Sequence, residues 1–250
     1  MHPLRSRRVF RYTRHDLMEL SSILETPASW AIGAVNVLWF LFVTAHGDTN
    51  NVETLIRFGA NERVRIWKHG ESWRLLTACF LHIGWLHLLW NTYMMFGWCQ
   101  HVEGVLGTVK FLLAYLVSGI GASAISVLGH RTVSAGASGA GFGMIGVDLM
   151  IRYRVLGNWD LFFGDGYVQY VLKMVAFWIL IGVFLIRGMD NFAHAGGLVF
   201  GLLAGYALSI PEDDRFRIPV LLVVIAVWIG TVLMSLTPKF ARKPEDPGLV

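Results

Sequence analysis

The chain is poor in cysteine and in charged residues. Its two cysteines, Cys79 and Cys99, are too few for a disulfide framework and lack the spacing of a metal site. Only 15% of the residues are charged, against roughly 25% in soluble domains. The basic residues are not interleaved with aromatic residues, so no nucleic-acid partner is expected. The net charge of +4 suits anionic lipid headgroups. These shortages argue against a disulfide-rich secreted domain and an ordinary soluble enzyme.

Apolar residues, by contrast, fill the chain. They make up 55% of the sequence and give a mean hydropathy of +0.54. A membrane-spanning helix needs roughly 20 mostly apolar residues, and seven segments meet or approach that requirement. These segments are 27–45, 85–102, 109–128, 137–151, 168–186, 192–210 and 218–236. The predicted fold class is therefore an all-α polytopic membrane protein.

The predicted organisation is one helical bundle without internal repeats. Six spans lie within residues 27–210, and residues 46–73 form a long first loop that we expect to lie on the membrane through short interfacial helices. Residues 1–26 form a basic tail, 211–237 a linker and seventh span, and 238–250 a C-terminal tail. The arginine-rich start fits either a cytoplasmic tail or an organelle transit peptide.

The distribution of lysine and arginine bears on orientation. With the N-terminus inside, the inner and outer segments hold ten Lys and Arg residues each, and half of the outer ones lie in residues 46–74, which are the first loop and Arg74 directly after it. If that loop folds onto the bilayer as a structure of its own, its charges say less about orientation. The remaining ten against five favour a cytoplasmic N-terminus.

Polar side chains stand at the beginnings of three spans, and a polar residue within a span is a functional hypothesis. His87 and Asn91 are four residues apart in the second span, so they project from one face. Ser138 begins the fourth span, and His194 lies two residues into the sixth. Because even-numbered spans run in the same direction, we expect all these groups at similar depth beneath the outer membrane face.

Small residues follow both the serine and the second histidine. Gly136 and Gly139 flank Ser138 and begin a glycine stripe, and a second stripe follows His194. Such stripes often serve only close helix packing, and each polar group alone could be an interhelical contact. Two facing stripes would also bring Ser138 within hydrogen-bond reach of His194, as an activated nucleophile requires. His87 and Asn91 would then supply donors for an oxyanion.

Other chemistries fit the sequence less well. His82 and His87 are five residues apart and would point to different helix faces, so neither a metal site nor a cofactor is predicted. Asp190 could in principle orient His194, but we expect it or its neighbour to cap the sixth span. Asp148 is expected to pair with Arg152, four residues further on.

Four motifs together resemble the rhomboid intramembrane serine proteases. They lie in that family's order between residues 71 and 205 and read WRLLTACFLHIGWLHLLWN, VEGVLG, GASGAGFGMIG and AHAGGLVFGLLAG. The resemblance implies a six-helix rhomboid-like bundle, here with one C-terminal transmembrane helix appended. Because that extra helix follows the core, unlike the mitochondrial arrangement, we expect a bacterial inner membrane protein.

The resemblance also implies roles for individual residues. Ser138 would be the nucleophile and His194 the general base, in a dyad without an aspartate. His87, Asn91 and the backbone N–H of Ser138 would form the oxyanion site. Phe142 falls where the family places an aromatic ring against the catalytic histidine.

Outside the dyad, the resemblance covers four further positions. Trp73 and Arg74 match a tryptophan–arginine pair of the family's first loop, which lies partly in the membrane. Glu103 and Gly107 match structural positions that follow the second helix.

The sequence therefore predicts an endopeptidase that cuts single-pass or polytopic transmembrane substrates within or near their membrane helices, through an acyl-enzyme. Two alternatives stay open at this stage. One is a rhomboid-like protein that binds transmembrane clients without cutting them. The other is a transporter or channel, although the sequence lacks the paired, interrupted helices expected of many transporters.

Overall fold

The described part of the chain, residues 24–129, 132–186, 188–210 and 217–237 of a computed structural model, is built from helices and their connections. Seven of its helices have 18 residues or more. They are α1 (Pro27–His46), α5 (Gly84–Leu106), α6 (Thr108–Gly129), α7 (Ser138–Leu156), α9 (Gly166–Phe184), α10 (Asn191–Leu208) and α11 (Arg217–Ser235). They stand at the positions of the seven predicted spans. The two predicted tails and the linker before α11 lie largely outside the described residues.

The first loop contains short helices, as predicted for residues 46–73, and in the structure it continues to Ile83, just before α5. They are α2 (Val52–Arg57), α3 (Arg63–His69), α4 (Arg74–Thr77) and a 3-10 turn at Ala78–Phe80. The side chain of Asn51 accepts two backbone N–H groups at the start of α2, and Glu62 does the same for α3. These caps satisfy donors that a helix leaves without partners at its first turn, so even such short helices have defined beginnings. One more short helix, α8 (Trp159–Gly164), precedes α9.

Helix α7 lies at the centre of the bundle. Apart from Phe142, every residue from Gly139 to Ile151 is buried. Of the described elements, α7 and α10 pack against each other most extensively, and α6 packs against both. The glycine stripes account for this closeness, because glycines on facing helices let two backbones approach without intervening side chains. The centre of the bundle is thus built on the segment that begins with Ser138.

The outer helices carry the membrane-facing surface. Within the described ranges, α1, α6, α9, α10 and α11 are long and apolar enough to cross a membrane. Helices α5 and α7 are as long but carry more polar residues in their sequences. Many large apolar side chains on α9 and α11 are exposed, which suits contact with lipid rather than water. The chain is an integral membrane protein.

The first helix is anchored through a buried carboxylate at the end of α5. Glu103 is 1% exposed and accepts the N–H groups of Ala28 and Ser29 at 3.0 and 2.7 Å, together with the Ser29 hydroxyl. It also accepts the hydroxyl of Thr108 at 2.8 Å. The carboxylate therefore caps α1 and joins its beginning to the α5–α6 connection.

The predicted ion pair between Asp148 and Arg152 is wrong. Asp148 is paired instead with His101 at 3.1 Å and accepts the hydroxyl of Tyr167 at 2.5 Å. Arg152 donates to Asp165 at 2.6 Å, just before α9. Helix periodicity correctly made the two residues neighbours on α7, but partners from α5 and α9 are better placed for each of them.

Candidate active site

Ser138 and His194 meet at the ends of two helices. Ser138 is the first residue of α7, and His194 lies one turn into α10. Their side chains are joined by a hydrogen bond of 2.9 Å between His194 Nε2 and Ser138 Oγ. Ser138 is half-buried and His194 is buried. This is the geometry in which a histidine ring can take the proton of a serine hydroxyl during nucleophilic attack.

The ring of His194 is held by an aromatic neighbour. The Phe142 ring stacks on it with centroids 4.4 Å apart and an angle of 11° between the planes. The other ring nitrogen, Nδ1, has no hydrogen-bond partner among the described residues. Packing against Phe142, rather than a carboxylate of the described residues, therefore orients the histidine.

Asp190 caps α10, as the sequence predicts. Its Oδ1 accepts the N–H of Ala193 at 2.9 Å, and its Oδ2 accepts the hydroxyl of Ser126 on α6. The carboxylate thus fixes the beginning of the helix that carries His194. Asp190 therefore contributes to the site by holding the N-terminal end of α10 in place.

His87 and Asn91 lie beside the serine. A Cβ atom added to Gly136 would come within 2.7 Å of His87 Cε1 and 3.6 Å of Asn91 Nδ2. Gly136 has φ of +144°, and only a residue without a side chain leaves room for both groups there. The structure therefore brings both predicted donors to the segment that leads into Ser138.

The protonation of His87 follows from its contacts. Its Nδ1 lies 3.2 Å from the backbone N–H of Ile83, which donates to it. In the neutral ring the proton then belongs to Nε2, on the side of Gly136. Asn91 is 4% exposed, and its Nδ2 has no hydrogen-bond partner among the described residues. Two N–H groups, one from each side chain, are thus available to an oxyanion.

All of these groups line one cavity of about 890 Å³. Its floor and walls are mostly apolar, and its polar atoms include those of Ser138, His194, His87 and Asn91. Ser138 also offers its backbone N–H, because the first N–H groups of a helix have no partners within it. No group of three or more His, Cys, Asp or Glu side chains within the described ranges is arranged to hold a metal ion.

Trp73 and Arg74 have a different position from the other predicted residues. Neither is among the described residues that line the cavity. Arg74 is buried and donates to the carbonyl oxygens of Ile56 and Ala60 at 2.6 and 3.1 Å. Arg74 also donates from Nε to the carboxylate of Glu71 at 2.6 Å, and this hydrogen bond holds the pKa of Glu71 below its usual value. The pair therefore shapes the first loop and does not reach the serine.

The first loop nevertheless touches the segment before α7. The backbones of Asn61 and Ser134 exchange two hydrogen bonds of 2.8 and 3.0 Å, and the Ala78 carbonyl accepts the N–H of Gly136 at 2.9 Å. Sequence reasoning missed these contacts, because backbone groups of loop residues leave no signature in the residue types. It also missed an aromatic contact between Trp90 and Trp178, at the edge of the cavity.

Comparison with known proteins agrees with this geometry. The family model described as the Rhomboid domain matches residues 69–211. The chain is 36% identical over 208 residues to the rhomboid protease GluP of Bacillus subtilis, which covers 81% of this chain and 39% of that protein. It is 34% identical over 169 residues to the mitochondrial RHOMBOID-like protein 6 of Arabidopsis thaliana, covering 66% of the chain and 52% of the relative.

A third relative is rhomboid-like protease 5 of Toxoplasma gondii, 34% identical over 177 residues, or 68% of this chain and 20% of that protein. The chain thus spans about half or less of the length of these relatives. The family model covers more than half of the chain, including both residues of the serine–histidine pair. The chain belongs to the rhomboid family.

Proposed function

We propose that this chain is an intramembrane serine endopeptidase that cleaves transmembrane proteins within or next to their membrane helices. The observation that carries the proposal is the 2.9 Å hydrogen bond between Ser138 and His194 in a cavity that also holds two oxyanion donors. Family membership supports it, as do the two relatives that are named proteases.

The reaction follows from the arrangement of these groups. His194 Nε2 takes the proton of the Ser138 hydroxyl as Oγ attacks the carbonyl carbon of the scissile bond. His87 Nε2–H, Asn91 Nδ2–H and the Ser138 N–H donate to the oxyanion that forms. The protonated histidine then gives its proton to the leaving amine, and an acyl-enzyme remains on Ser138. Water, deprotonated by His194, hydrolyses that ester and restores the serine.

The substrate must present an unwound backbone. In a transmembrane helix every carbonyl is engaged in a hydrogen bond, so Oγ cannot reach one without local unfolding. We therefore expect small or helix-breaking residues near the cut in single-pass or polytopic substrates. The mostly apolar walls of the cavity suit such a segment.

Entry between α5 and α9 is the route that the packing favours. Among the residues of α9, Val168, Val171 and Val175 are buried, and all three lie in its first half. Towards its other end, the Trp178 ring rests against Trp90 of α5 at 5.0 Å, and both line the cavity. Separating this aromatic contact would open the cavity sideways to the membrane.

The proposed location is the inner membrane of a bacterium, with a cytoplasmic N-terminus and the cavity opening to the outer face. The lysine and arginine count supports this orientation, since the inner segments hold ten against five once the charges of the first loop are set aside. The relative from Bacillus supports a bacterial source, although relatives also occur in plants and a protozoan. A protease site placed after residue 210 and another placed in the first loop, probed in intact cells, would test the orientation.

The test of the function uses the purified full chain in liposomes with a panel of fluorescently labelled transmembrane substrates. Ser138→Ala and His194→Ala are compared with the unchanged chain, and Ser209→Ala, at the far end of α10, is the matched control. The proposal predicts cleavage by the unchanged chain and by Ser209→Ala, and none by the other two. Equal cleavage by all four, or cleavage by none of them, contradicts it. Substrate binding without cleavage would instead indicate a client-binding protein.

A further inference from the structure

The seventh helix is joined to the rest of the molecule by two tryptophan indoles. Helix α11 packs on α6 and α10. Its own Trp228 donates from Nε1 to the carbonyl of Val117, midway along α6, at 2.9 Å. At the C-terminal end of α11, the carbonyl of Ser235 accepts the Nε1–H of Trp67, a residue of the first loop, at 2.6 Å. One indole thus ties α11 to the bundle, and the other ties it to the first loop.

The bond from Trp67 meets a carbonyl that needs a partner. Ser235 is the last residue of α11 and is fully buried. The carbonyls of a helix's last turn accept no N–H group from within the helix. The same contact is surrounded by an apolar cluster. It joins residues of the first loop, α6 and α11, namely Ile66, Trp67, Leu75, Ile120, Val127, Val232 and Leu236. The end of α11 is therefore packed against the loop as well as hydrogen-bonded to it.

The first loop connects the end of α11 with the segment that leads into Ser138. Leu75, in the cluster, belongs to α4, and the next turn provides the Ala78 carbonyl that holds the N–H of Gly136. Gly136 lies against His87 and two residues before Ser138. A shift of the loop would therefore move the segment that leads into the nucleophile relative to its oxyanion donors.

We propose that α11 braces the first loop, and that Trp67 is a positioning residue whose bond to α11 keeps the Ser138 segment aligned with His87 and Asn91. The catalytic consequence rests on the proposed function. The structural part of the inference, that α11 holds the loop and the loop holds Gly136, does not depend on it.

The experiment compares two variants that each lose one indole N–H and keep an aromatic ring. Trp67→Phe breaks the bond from the loop to α11, and Trp228→Phe breaks the bond from α11 to α6. Both are made in the full chain and compared by thermal unfolding. The rate at which a fluorophosphonate labels Ser138 is then measured, because it reports the reactivity of the serine itself. The brace predicts that labelling slows by about 2–10-fold in Trp67→Phe. The rate stays close to the original in Trp228→Phe, because α11 is still held by its packing on α6 and α10.

Steady-state cleavage adds a second readout. We expect Trp67→Phe to lower kcat while leaving KM unchanged, because the brace affects oxyanion alignment and not substrate docking. If Trp67→Phe does not fold, Val232→Ala is used, because it removes apolar contacts from the α11 side of the same cluster. Equal labelling rates in both tryptophan variants, or an equal loss in both, contradict a positioning role for Trp67.

Hydrogen exchange separates this inference from the proposed function. Amides at Asn61, Ser134 and Gly136 are hydrogen-bonded through the first loop, so they are expected to exchange faster in Trp67→Phe and not in Trp228→Phe. If the unchanged chain is not labelled at Ser138, the proposed function fails and exchange still decides whether α11 braces the loop. Unchanged exchange at these three amides in Trp67→Phe overturns the brace.

Discussion

Gly197 lies directly against the carbonyl oxygen of Gly139, so closely that a Cβ atom at position 197 would overlap with that oxygen. This contact sets the distance between α10 and α7, one turn away from His194 and one residue away from Ser138. Gly201 has the same relationship with the carbonyl of Gly143. The close packing of the two helices and the hydrogen bond between Ser138 and His194 are therefore consequences of the same glycines.

Gly197→Ala is expected to damage both stability and activity. The added methyl group must push α10 away from α7, and such overpacking costs about 1–3 kcal/mol. A displacement of about 1 Å at the dyad can reduce the rate by about 10²-fold. Gly230→Ala on α11 is the control, because nothing lies within 4 Å of the new methyl group there. Thermal unfolding and substrate cleavage should separate the two variants, and a Gly197→Ala protein as active as Gly230→Ala would contradict this packing.

Asn91→Ala is expected to lose activity without a matching loss of stability. The Nδ2 group has no hydrogen-bond partner among the described residues, so its removal breaks no such bond in the resting protein. During the reaction the same group would donate to the oxyanion, and loss of one such donor lowers kcat by about 10²–10³-fold. The two quantities to measure are kcat and the unfolding midpoint. A proportional fall in both would show that Asn91 is a structural contact instead.

Phe142→Leu tests the packing that holds the ring of His194, the proposed catalytic histidine. Leucine fills much of the same space but cannot stack on the His194 ring. Because such aromatic pairs contribute about 0.5–1.5 kcal/mol beyond their burial, kcat should fall by about 2–10-fold. Phe142→Tyr keeps the stacked ring and should retain most of the rate. An active leucine variant beside an inactive tyrosine variant would overturn this role for the ring.

Glu103→Ala is expected to destabilise the protein. It leaves two backbone N–H groups and two hydroxyls near the start of α1 and of α6 without their acceptor. We expect a loss of at least about 2 kcal/mol in the free energy of unfolding, since these donors are mostly buried and the bonds involve a charged group. Glu53→Ala, which removes an exposed carboxylate from α2, is the comparison. A similar unfolding midpoint for both variants would show that the cap contributes little.

Much of this architecture could be predicted from the sequence. Long apolar segments located the seven helices, and the shared direction of even-numbered spans placed Ser138, His194 and His87 at the same end. The glycine stripes indicated which faces of α7 and α10 meet. These features depend on residue type and on helix periodicity, both of which can be read along the chain.

The unpredicted contacts depend on how neighbouring helices are rotated and how the first loop is folded. Asp148 takes His101 and Tyr167 as partners because α5 and α9 bring those side chains to it. The pairing of Asn61 with Ser134 joins two backbones through groups that every residue has. Residue types along one segment contain no information on either arrangement.

Activation of Ser138 by His194 is the step on which the whole proposed reaction depends. Its most direct test is the rate at which a fluorophosphonate forms a covalent adduct with the folded chain, with the modified residue identified by mass spectrometry. We expect an adduct on Ser138 in the unchanged chain, and in His194→Ala a rate lower by at least about 10²-fold with the fold unchanged. An adduct at another residue, or equal rates in the two proteins, would contradict it.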